Sequence, residues 1–162
     1  MSRRPLAQME VLAMLAATPK RITEMTAGLS PAQLRTPPQP DAWSANEVLA
    51  HLRACADVWG ECIKTILTQD APTLRALNPT TWIKQTNYPT QAFQPSLHAF
   101  ATQRADLLAT LEPLTPTDWS RMATVTGAGN ALERTVLSYA QRLAIHERPH
   151  LKQIARIITA LR

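Results

Sequence analysis

No stretch of the 162-residue chain approaches the roughly 20 apolar residues needed to cross a bilayer. The N-terminus starts basic at Arg3-Arg4, but Glu10, Thr18 and Lys20 interrupt the apolar run that a secretion signal would need. The expectation is a cytoplasmic protein with no membrane partner. Cysteine is scarce as well. Cys55 and Cys62 stand seven residues apart in one helical pattern, a rise of about 10 Å, whereas a disulfide needs Cα atoms within about 7 Å. Both are therefore expected as free thiols.

Aromatic residues make up only 5% of the chain, with no C-x-x-C pair and no aromatic–basic interleaving. The net charge of +5 comes from 13 arginines and four lysines that are scattered, with no run longer than Arg3-Arg4. A basic, solvated surface follows, and no specific nucleic-acid partner. Internal repeats and low-complexity tracts are also missing. The hydrophobic fraction of 45% and charged fraction of 18% are those of a globular protein, and the length suits one domain spanning 1–162.

Four long helical patterns are present, separated by proline-bearing connections. The first spans about Pro5 to Leu29, with Pro5 suited to a first turn and Pro19 expected to kink or divide it. The second opens on Ser44-Ala45-Asn46-Glu47, a capping box, and carries Val48, His51, Leu52, Cys55, Trp59, Cys62, Ile63 and Ile66 on one stripe. The third spans about Gln94 to Leu111, with Leu97, Phe100, Arg104, Leu107 and Leu111 in phase. The fourth spans about Ala131 to Leu161. The connections 31–41, 70–90 and 113–130 read as loops, and no segment alternates convincingly as a strand. The fold expected is an all-α four-helix bundle with long loops.

His146 and His150 lie about 40° apart on the fourth helix, on the side of Tyr139, Leu143, Ile154 and Ile157. Two inward imidazoles one turn apart present two nitrogens to one metal, or serve as one core hydrogen-bonder and one edge residue. His51 shifts the balance towards metal, because it adds a third inward histidine from a second helix. Three clustered neutral imidazoles are difficult to satisfy without a shared ion. His98, at the edge of the third helix's stripe, is read as no ligand. Cys55 is a candidate fourth ligand, which would close the site. The string His146-Glu147-Arg148-Pro149-His150 also fits the H-E-x-x-H of metalloproteases, but residues 151–162 hold no third ligand, and Pro149 is expected to bend the helix there. Glu47 is a candidate base, with capping its simpler role. Gln153, close to His150, is a candidate hydrogen-bond partner for a ligand. Trp43, Trp59 and Trp82 read as packing, with Trp82 also placed to line an entrance.

Trp43-Ser44-Ala45-Asn46-Glu47-Val48-Leu49-Ala50-His51-Leu52 resembles the W-S-x-x-E-v-l-x-H-L segment of the DinB-like superfamily of DinB/YfiT-type metalloenzymes. His146, His150, Leu151, Gln153 and Ile154 resemble its C-terminal H-x-x-x-H-x-x-Q-I segment, and Gly28 to Leu34 resembles a conserved connection. Pro149 departs from that pattern. The resemblance spans nearly the whole chain. It implies a four-helix bundle, often a homodimer, with His51, His146 and His150 holding a divalent ion: zinc or nickel first, iron or manganese next. It further implies transfer of a low-molecular-weight thiol such as mycothiol, bacillithiol or glutathione to an electrophile. The alternatives are a metal-dependent hydrolase and a non-catalytic, metal-binding stress-response bundle.

Overall fold

The computed structural model describes residues 4–162. Four long helices form the bundle: α1 (Gln8–Thr26), α3 (Ala45–Thr68), α5 (Phe93–Leu111) and α7 (Val136–Ala160). Helix α7 packs on both α1 and α3, and α5 completes the ring by packing on the same two. Leu15, Ile22, Leu49, Leu52, Ile63, Phe100, Leu143 and Ile154 are fully buried in one continuous core that takes residues from all four.

The start of α3 is dictated locally. Ser44 Oγ accepts the Glu47 amide and Glu47 Oε1 accepts the Ser44 amide, both at 3.2 Å. These bonds satisfy two end donors that would otherwise be left over. The cap fixes the phase of α3, and with it the direction of His51 two turns into the chain.

Three sequence expectations need correction. Helix α1 starts at Gln8 rather than Pro5, ends at Thr26, and runs undivided through Pro19. Proline lacks the amide that would bond Leu15's carbonyl, and Arg104 Nη1 from α5 donates to that carbonyl instead at 2.9 Å. Helix α7 likewise continues through Pro149, but it begins at Val136, because 132–135 form a strand.

The loops also hold more order than their prolines suggest. Ser30 caps a short α2 (Pro31–Arg35), and α4 (Pro79–Trp82) and α6 (Pro116–Trp119) are single turns. Strands β1 (Thr73–Arg75), β2 (Met122–Thr126) and β3 (Leu132–Thr135) form a small sheet, β1 parallel and β3 antiparallel to the central β2. Within β2, Ala123 and Val125 are buried while Met122 and Thr124 face out, a period-two pattern in only five residues. The bundle therefore carries a sheet that periodicity alone did not disclose.

The segment between β1 and α5 is pinned to α3 and α5. Trp82 Nε1 (3.0 Å) and Tyr88 Oη (2.6 Å) both donate to Asp57 Oδ2, and Gln103 Nε2 donates to Asp57 Oδ1. The Arg53 guanidinium stacks on the Tyr88 ring 3.7 Å from its centroid and donates to Ser96 Oγ at 3.0 Å.

Candidate metal centre

Helices α3 and α7 bring His51, His146 and His150 to one point. His146 Nε2 lies 3.2 Å from His51 Nε2 and 3.2 Å from His150 Nε2, and the His51 and His150 ring centroids are 4.8 Å apart. His150 Nδ1 donates to Gln153 Oε1 at 2.8 Å, so the lone pair on its Nε2 faces the cluster. Cys55 Sγ lies 3.6 Å from His51 Nε2 and 3.9 Å from His146 Nε2. Two overlapping donor sets thus meet at His146: the Nε2 atoms of His51 and His150 about it, or His51, His146 and the Cys55 sulfur, whose ligand atoms all lie within 4.8 Å of one another. His98 is exposed on α5 and takes no part.

The chemistry of the donors fits a cation. A neutral imidazole holds one proton, so facing Nε2 atoms about His146 cannot all be satisfied by one another. Ligands 2.0–2.1 Å from a tetrahedral ion stand about 3.3–3.4 Å apart, close to the 3.2 Å found. Burial holds His146 well below the usual imidazole range, at about 4, with the neighbouring His150, His51 and Arg142 acting in the same direction. Burial also lowers His51, with His150 adding to it. Both rings are therefore neutral donors at pH 7. Burial pushes the Cys55 thiol up to about 12, and the Glu147 carboxylate adds to the shift. The thiol must lose a proton before it can ligate, whereas the imidazoles need not.

Three tryptophans were expected as packing, and each has a different place. Trp43 is 40% exposed and lies against His51 (5.2 Å between centroids) and His150 (6.4 Å, stacked). Trp59 is buried and meets His146 edge-on at 5.1 Å, with the Arg142 guanidinium over its ring at 4.9 Å. A pocket of about 560 Å³ opens on His51, Cys55 and His146, walled by Trp59, Arg142, Ile145 and residues 78–80. Trp82 lines a separate cavity of about 810 Å³ and does not line the pocket at the histidines.

Neither glutamate near the histidines faces the pocket. Glu47 is exposed and engaged in its cap. Glu147 is 1% exposed and directed towards α1 and α5 rather than the pocket. There its Oε1 accepts from Arg104 Nη1 at 2.9 Å and from Thr18 Oγ1 at 2.8 Å, and its Oε2 pairs with Arg104 Nη2. This geometry removes the H-E-x-x-H reading, since the glutamate of that motif must reach a water at the metal. The sequence did signal the pair, because Arg104 and Glu147 each interrupt an apolar stripe.

Fold and site define a class: a four-helix bundle with imidazoles gathered between two of its long helices. The chain belongs to the DinB superfamily, whose sequence profile matches residues 14–154. It is 26% identical over 152 residues to a Geobacillus kaustophilus (strain HTA426) protein named "Putative metal-dependent hydrolase GK0616", covering 90% of this chain and 81% of that one. A Geobacillus thermodenitrificans (strain NG80-2) protein named "Putative metal-dependent hydrolase" is 26% identical over 135 residues, covering 80% and 72%. The fold is that of YfiT from Bacillus subtilis, described as "a probable metal-dependent hydrolase with an unusual four-helix bundle topology". The TM-score is 0.79 at 18% identity, over 97% of this chain and 90% of YfiT.

Proposed function

We propose that the chain is a metal-dependent enzyme in which His51, His146 and His150 hold a divalent ion and a low-molecular-weight thiol is transferred to an electrophile. The convergence of three Nε2 atoms, with His51 and His146 lining an open pocket, carries this reading. A divalent ion held there by His51, His146 and His150 would supply a Lewis acid able to lower the pKa of a thiol or a water. The protein's own residues do the rest. Gln153 holds the proton of His150 on Nδ1, and Trp43 and Trp59 restrict water around the imidazoles.

The pocket lining favours a thiol over water. Among the described residues no carboxylate lines it, so a water nucleophile has no customary base beside it. A thiol ionises near pH 8.5 in water and needs little further help. Hydrolysis is the second reading, favoured by the names of the two Geobacillus relatives.

The test begins with metal content of untagged protein by mass spectrometry, beside a His51→Ala, His146→Ala, His150→Ala triple variant. One ion per chain is expected in the wild type and none in the variant. Metal-loaded protein is then assayed for thiol consumption against a panel of electrophiles. Failure to take up zinc, nickel or manganese sinks the metal reading. Uptake without conjugation of any thiol sinks the transfer reading and leaves hydrolysis or a non-catalytic role.

A further inference from the structure

Arg142 stands one turn before His146 on α7 and is the one ionised side chain in the pocket lining. Its guanidinium lies over the Trp59 indole at 4.9 Å, and the edge of the same indole meets His146 at 5.1 Å with the planes at 87°. The Trp59 ring is thus in contact with both the guanidinium and the imidazole cluster. The position of the guanidinium is partly set by that stacking, which suits a planar cation far better than an ammonium.

The other arginines with structural roles are occupied. Arg104 is spent on Glu147, and Arg121 pairs with Asp70. Arg53 is engaged with Ser96 and Gln91. Among the described residues no carboxylate pairs with Arg142, so the N–H fork of this exposed side chain is open to the pocket and to solvent. A fork fixed on an aromatic face beside a nucleophile site matches the planar oxygens of a carboxylate.

We infer that Arg142 is the specificity-determining residue of this pocket, selecting ligands that carry a carboxylate a few bonds from the atom presented to the histidine cluster. The inference rests on the metal-site reading above. Asn78, Pro79 and Thr80 line the same pocket without a charge of their own, so the anion preference falls on Arg142 alone.

The experiment uses cobalt(II)-loaded full-length protein and two thiols of similar size, 3-mercaptopropionate and 2-mercaptoethanol. The sulfur-to-cobalt charge-transfer absorption reports binding of each without any turnover. Wild type is expected to bind the carboxylated thiol about five- to tenfold more tightly than the neutral one. Arg142→Leu is expected to erase that preference, and Arg142→Lys to retain part of it. Arg142→Gln serves as a second uncharged variant, and circular dichroism verifies the fold of each. Equal affinities in the wild type, or a preference that survives in Arg142→Leu and Arg142→Gln, overturn the inference while the metal site stands. Failure of the wild type to take up cobalt overturns both readings together.

Discussion

Replacing Arg104 by methionine tests what holds α7 in place. In the folded chain Arg104 and Glu147 are 2% and 1% exposed, and the guanidinium serves the carboxylate and the Leu15 carbonyl at once. Arg104→Met leaves a buried carboxylate with Thr18 as its remaining partner, and a carbonyl with none. Removing one member of a buried pair costs about 3–5 kcal/mol. For a chain of this size each kcal/mol corresponds to roughly 2–4 °C in Tm, so a fall of about 6–20 °C is expected. Replacing both members, Arg104→Met with Glu147→Leu, removes the uncompensated charge and should recover at least half of the loss. The assay is urea unfolding followed by circular dichroism, with chelator present so that metal binding does not add its own stability. A single variant within about 1 kcal/mol of wild type, or a double variant no better than the single, refutes the argument that the pair fixes α7.

Two smaller perturbations test neighbouring parts of the site. Gln153→Ala removes the acceptor of His150 Nδ1 and should weaken zinc affinity about 10- to 100-fold in a competition titration with a chromogenic chelator; unchanged affinity would mean that Gln153 does not orient the ring. Asp57→Asn sets an amide donor against Trp82, Tyr88 or Gln103. Hydrogen exchange should then quicken in residues 78–91 while the centre of α7 keeps its protection, and equal exchange in both proteins would deny Asp57 its anchoring role.

The parts of this fold legible in the sequence are those set by local spacing. The Ser44–Glu47 cap needs only two residues between its members, and the His51, His146 and His150 directions follow from helical period within apolar stripes. Features that depend on distant partners escaped. Strand β2 has two inward residues, and it becomes a strand because Thr73–Arg75 and Leu132–Thr135 lie on either side. The same pairing takes 132–135 away from the helix that their sequence continues. Pro19 reads as a break because the residue that answers its missing amide, Arg104, lies 85 positions away (104 minus 19). Arg142 gave no signal, since an exposed arginine on a helix is ordinary until Trp59 and the pocket are beside it.

Pro19, Arg104 and Glu147 are connected by more than coincidence of position. A proline in α1 frees the Leu15 carbonyl, the carbonyl helps to hold Arg104, and Arg104 with Thr18 holds Glu147. Glu147 is the residue after His146, about 100° round the same turn of α7. Sliding or rotating α7 would draw the carboxylate out of that bonded set before it moved an imbalance of apolar surface, because hydrogen bonds tolerate far less displacement than packing does. The buried pair thus acts as a registry device for the helix that carries two of the three histidines. Apolar contact alone would fix that helix less sharply. The buried carboxylate and the histidines beside it on α7 answer one requirement: the 3.2 Å spacing between His51 Nε2 on α3 and His146 Nε2 on α7 needs a helix that cannot slide.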